Sequence, residues 1–184
     1  HGPMRHRACQ ASLVTDDGLR RARERVRARL ETADDPDWYR RQIDSVSPSY
    51  LFSVEPKQIV EDLKRVRNLT ADAATAWGRY LPDRDVVEYT VGAYDQCAPG
   101  LFHRLTGALT SNRMQILSAE INTLADGLVI DRFYVEDAVP KCTVSSDRLQ
   151  EVSQALIRPA TDTEDTAPKF SRLWNEATQG VGGY

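Results

Sequence analysis

At 184 residues, 41% of them apolar and 28% charged, the chain suits one ordinary domain with a helical appendage and is too short for two large ones. Its apolar runs are only a few residues long, which excludes a membrane-spanning helix, and the polar start at residues 1–7 lacks the apolar stretch of a signal peptide; the expected location is the cytoplasm. Three histidines and three widely spaced cysteines (Cys9, Cys97, Cys142) exclude a disulfide framework and offer no zinc spacing, so neither metal nor cofactor is expected.

Residues 1–12 read as a tag remnant or disordered lead, and residues 13–82 as a helical linker segment. A first helix is expected over 19–30, with Asp16 and Asp17 as cap candidates and an end near Asp34, Asp35 and Pro36. The net charge of −3 hides a basic run at 20–29, but its arginines alternate with Ala, Val and Glu, and no aromatic residue interleaves to stack a base. A solvated helix face explains it, and no nucleic-acid partner is expected. Ser47, Pro48 and Ser49 read as a loop. Glu55 and Pro56 open a second helix, whose Ile59, Val60, Leu63 and Val66 form one apolar stripe. A short helix or turn is expected over 72–80. This segment is too small for a core of its own, so it should lean on the following domain or on a neighbouring chain.

After Pro82 the texture changes. Residues 86–94 are β-branched and aromatic, as a strand requires. Pro99 and Gly100 mark a turn, and Leu101, Phe102, Leu105, Ala108 and Leu109 recur at helical spacing. Residues 116–124 alternate as a second strand, Asp126-Gly127 forms a hairpin turn, and 128–135 make a third strand. Asp131 and Arg132 fall on opposite faces of it. Ser145, Ser146 and Asp147 cap a last helix carrying Leu149, Val152 and Leu156. Gly107, in mid-helix, suggests close approach of that helix to the sheet, since glycine there costs about 1 kcal/mol relative to alanine.

Strand–helix–strand–strand–helix lacks one strand of a ferredoxin-like βαββαβ unit. The expected class is α+β over residues 83–160, with the last strand missing or truncated, followed by an acidic loop and short helix over 161–184. Either the sequence stops short of that strand or a partner supplies the edge; the first is favoured.

Three stretches run in order with barely a gap: Pro99-Gly100-Leu101-Phe102 with Gly107 and Leu109, then Gln115-Ile116-Leu117-Ser118-Ala119 with Thr123, then Asp126-Gly127 and Asp131-Arg132-Phe133-Tyr134-Val135. Together they resemble the first ACT repeat of the PII-protein uridylyltransferase/uridylyl-removing enzymes. Upstream, Pro48-Ser49-Tyr50-Leu51-Phe52 with Glu55, Pro56 and Ile59 is similar to the stretch before that repeat in the family. The resemblance implies a regulatory module in a parent that is a bifunctional nucleotidyltransferase and hydrolase, with PII as the parent's partner and with ACT units pairing as a homodimer. The family's catalytic signatures, a Gly-Ser motif with paired aspartates and a His…His-Asp cluster, do not occur here, so no catalysis is expected of this segment.

The resemblance also implies an amino-acid ligand, glutamine first, at the turn formed by Asp95, Cys97, Ala98, Pro99, Gly100 and Leu101, with Gln115 and Ile116 from the start of the next strand. Backbone N–H groups at a helix N-terminus suit a carboxylate, and Gly100 admits it closely. Cys97 stands where the family has a polar residue, which shifts the ammonium contact onto Asp95. The same turn is also an ordinary strand-to-helix connection, and a pairing module without a ligand remains the alternative. An RNA-binding sheet would need Tyr89, Phe133 and Tyr134 exposed on a basic face, against a sequence pI near 5.7.

Overall fold

A computed structural model of the chain describes residues 15–30, 33–94, 100–138 and 144–161. Four helices come first: α1 (Asp16–Arg27), α2 (Pro36–Ser45), α3 (Pro48–Ser53) and α4 (Pro56–Val66). Strands β1 (Ala74–Leu81) and β2 (Val86–Tyr94) follow, then α5 (Leu101–Ser111), β3 (Met114–Thr123), β4 (Leu128–Asp137) and α6 (Ser146–Thr161). Start signals are local. The Thr15 hydroxyl accepts from the Gly18 N–H at 3.2 Å and Asp35 from the Trp38 N–H at 3.2 Å, while α2, α3 and α4 each place a proline in the first turn.

The strands form one antiparallel sheet in the order β1-β2-β4-β3. This corrects two expectations. Residues 72–80 do not form a helix: Ala74–Leu81 is a strand that pairs with β2 along its length, from Ala74 opposite Ala93 to Leu81 opposite Val86. And no strand need follow α6, because β1 already takes the place beside β2. The α+β arrangement is compatible with a ferredoxin-like fold whose last strand comes first in the chain. Ser47–Ser49, expected as a loop, cap and begin α3, and α2 was not foreseen at all.

Both faces of the sheet are covered. Val87, Tyr89, Val91 and Ala93 of β2 with Val129, Phe133 and Val135 of β4 meet α5 and α6 through Leu105, Leu109, Val152 and Leu156. On the opposite face, Leu128 and Ile130 join a second core made by α1 to α4, including Ile43, Tyr50, Ile59, Leu63 and Val66. The helical segment supplies most of that second core and packs it against the sheet through Leu124, Leu128 and Ile130. Gly92 makes the seam between them possible: an added Cβ would lie 2.4 Å from Val66 Cγ1. Tyr89, Phe133 and Tyr134 are buried and present no stacking surface.

Gly107 is a further correction. Its position is exposed and an added Cβ would touch nothing within 4 Å, so no close approach explains it. Gly107→Ala should therefore stabilise the fold by about 0.5–1 kcal/mol in urea titrations, through the lower entropy of the unfolded chain alone.

Candidate functional site

The sequence-derived site falls at two separate places. Gly100 is the N-cap of α5 with φ of 85°, and having no side chain it makes no cap hydrogen bond itself. Leu101 is buried behind it. Asp95, Cys97, Ala98 and Pro99 lie outside the described residues. Gln115 and Ile116 begin β3 at the other end of α5, Gln115 exposed and opposite Glu136, Ile116 half-buried and opposite Val135. The turn end of β2 is set by Tyr94 opposite Leu128. From Leu128 to Glu136 is eight residues of β4, or about 26 Å at 3.3 Å per residue. One chain thus keeps Gln115 and Ile116 away from the Gly100 turn. The cause is topological: a strand returning parallel to the first starts where the helix ends.

The other face of the sheet carries a charged cluster that sequence reasoning missed. Arg132 of β4 is 1% exposed and Asp62 of α4 is fully buried. Arg132 Nη2 donates to Asp62 Oδ2 at 2.5 Å; the Tyr50 hydroxyl donates to the same oxygen at 2.7 Å, and Gln58 Nε2 to Asp62 Oδ1 at 2.8 Å. Tyr50 also lies under the guanidinium, 5.1 Å from its ring centroid. Arg132 Nε is 3.7 Å from Glu88 Oε2 and has no hydrogen-bond partner among the described residues. Glu88 is held in turn by Arg79 Nη2 at 3.0 Å, and Arg79 Nη1 donates to Gln58 Oε1 at 2.8 Å. Asp62, Arg132, Glu88 and Arg79 alternate in charge and sum to zero, which is how buried charge becomes tolerable.

Burial by itself lowers the Arg132 pKa, but facing Tyr50, Asp62 and Glu88 outweigh it and raise it far above the ordinary value, so Arg132 stays charged. Burial raises the Asp62 carboxyl above its usual range, against the pull of Arg132, Tyr50 and Gln58. The Tyr50 hydroxyl is pushed well up, by burial first and then by Asp62, and remains a donor.

Beside this cluster a groove of about 430 Å³ opens between α4 and the end of the sheet where β1 turns into β2. Arg132 and Glu88 line it from within, and Glu55, Lys57, Glu61, Arg79, Arg84 and Tyr134 are among the residues of its walls. The Arg84 guanidinium stands over the Tyr134 ring, 4.6 Å from its centroid. Among the described residues no cluster of three or more His, Cys, Asp or Glu is placed to hold a metal, and no helix is long and apolar enough to cross a membrane.

No family model matches the chain. Individual relatives do. The chain is similar to a bifunctional uridylyltransferase/uridylyl-removing enzyme of Gluconobacter oxydans, 32% identical over 134 residues, which covers 69% of this chain and 13% of the relative. Proteins of the same description from Zymomonas mobilis (23% identical over 177 residues, 91% of this chain and 19% of the relative) and Azospirillum brasilense (28% over 165 residues, 84% and 17%) align over more of it. The chain spans less than a fifth of the length of any of these three relatives.

Proposed function

The chain belongs to the bifunctional uridylyltransferase/uridylyl-removing enzyme family, and from that premise we propose that it is a regulatory ACT module that binds an amino acid, glutamine first, and so adjusts the parent's action on PII. We place the module at residues 83–160, extended upstream to take in β1. It carries no catalysis of its own. The observation that supports the reading is the left-handed Gly100 at the head of an 11-residue helix: the helix's first N–H groups have no intrahelical partner and are available to an anion at that end. The ligand carboxylate binds there, and Asp95, Cys97, Ala98, Pro99 and Leu101 are its proposed contacts.

Gln115 and Ile116 reach the ligand from a second module. Among the described residues strand β3 is an open edge, and it carries two of the large apolar side chains left in solvent, Leu117 (46% exposed) and Ile121 (58%). If two copies pair antiparallel with Ala119 opposite Ala119, Leu117 of each faces Ile121 of the other, and no glutamates face each other. Past the one-residue bulge at Leu117, Gln115 comes opposite Asn122 of the second copy, next to Thr123. Thr123 pairs with Val129, at the end of the sheet where α5 begins, so Gln115 arrives near the other copy's Gly100 turn.

Thermal unfolding with millimolar glutamine, glutamate and serine in parallel tests the ligand. Glutamine at about 100 times its Kd adds roughly 2.7 kcal/mol, a rise in Tm of several degrees. No shift with any of the three contradicts an amino-acid sensor. The exposed β3 edge also favours a second reading, pairing with no ligand at all. In either reading Ile121→Lys raises the dimer Kd by about tenfold or more, since it sets a lysine against an apolar seam.

A further inference from the structure

We propose that the groove between α4 and the β1–β2 end of the sheet is a second ligand site, separate from the β2–α5 turn, for a small zwitterion with one carboxylate and one ammonium. The class follows from which charges are already committed. Arg79 is bound to Glu88, Arg132 to Asp62 and Glu88, and Lys57 lies 4.0 Å from Glu61. Two charges remain. Arg84 is fixed over the Tyr134 ring and makes no ion pair among the described residues, and Glu55, the N-cap residue of α4, makes none among them either and uses no side-chain hydrogen bond in capping. They are of opposite sign and line the same groove.

The floor is built rather than incidental. Arg132 and Glu88, both more than nine-tenths buried, line the cavity, and their charges are already balanced by Asp62 and Arg79. A simple anion entering the groove gains Arg84 but faces the carboxylates of Glu55, Glu61 and Glu88. A simple cation gains Glu55 but faces Lys57, Arg79 and Arg84. Only a ligand carrying both charges satisfies both free groups and leaves the groove's net charge unchanged. The volume of about 430 Å³ lies in the range of small-ligand pockets and exceeds what a water cluster needs.

The test follows the Arg79 Nε–H resonance of the ¹⁵N-labelled chain during titration with glycine and with glutamine, and with acetate, methylammonium and inorganic phosphate at matched ionic strength. The Gly100 amide, read in the same spectra, reports the turn separately, so either site can fail without the other. The zwitterions should give a saturable Arg79 shift and the single-charge probes none. Arg84→Gln and Glu55→Gln, both at exposed positions, should each weaken that response by about tenfold, the loss of one charged hydrogen bond. The proposal is overturned if phosphate gives the stronger saturable shift, if both variants respond as the parent does, or if no probe gives a saturable response.

Discussion

Replacing Arg132 by methionine should destabilise the fold by about 3–5 kcal/mol, the usual result of removing one partner from a buried ion pair. Methionine fills much of the space, so lost volume contributes little and the cost is electrostatic. Asp62 keeps the Tyr50 and Gln58 hydrogen bonds but loses its counter-ion, and Glu88 is left with Arg79 alone. In a chain of this length the loss appears as a fall in Tm of roughly 10 °C. Its pH dependence identifies the cause. The folded-state pKa of Asp62 is raised, so its contribution to stability is fully present below the unfolded value of about 3.9 and is lost as pH rises through the folded value. Removing Arg132 raises the folded value further. Urea titrations at about pH 4.5 and pH 7 should therefore show the variant's deficit widening toward neutrality. An equal deficit at both pH values would mean that packing, not charge, sets the cost.

Gly92→Ala should cost about 1–3 kcal/mol, opposite in sign to what a strand position ordinarily returns when glycine is replaced. The new Cβ would lie 2.4 Å from Val66 Cγ1 and 3.3 Å from Thr75 Cγ2, and α4 would have to lift from the sheet to admit it. Lifting α4 also stretches the Asp62–Arg132 contact, so the two effects are coupled. Val66→Ala in the Gly92→Ala background should restore part of the loss, because the methyl that collides is then absent, although Val66→Ala alone opens a cavity. Additive losses in the double variant would show that α4 does not rest on Gly92. This pair of substitutions tests whether the helical segment is docked as the shared core requires.

The sequence made the local features legible and concealed those that depend on distant partners. The α4 stripe, β2, the α5 stripe and the Asp126-Gly127 turn all carry their period or turn chemistry within a dozen residues, and all stand in the structure. The signal for α2 was also present: Asp35 as cap, Pro36 in the first turn, then Trp38, Tyr39, Gln42 and Ile43 on one face. Strand β1 was not legible. Ala74, Thr75, Ala76, Trp77 and Gly78 have no clear alternation and end up only half-buried; they are extended because the edge of β2 requires a partner.

The same distinction separates the two sites. Arg132 and Asp62 are 70 residues apart, and only the oddity of a charge at an inward-facing position, as with Glu88 between Val87 and Tyr89, hinted at them. The Gly100 turn was visible as a local motif. Its supposed partner Gln115 was misplaced within one chain, since topology rather than motif order decides which strand ends meet.

Sedimentation equilibrium of the chain with and without saturating glutamine tests the proposed sensor most directly, because Gln115 and Gly100 can meet only between two modules. Binding and pairing are then linked, and glutamine should lower the dimer Kd by the same factor that pairing raises glutamine affinity. Ile121→Lys should weaken both together. Association curves that coincide with and without glutamine, or a glutamine-induced rise in Tm in a chain that stays monomeric, would contradict a site shared across the β3 edge.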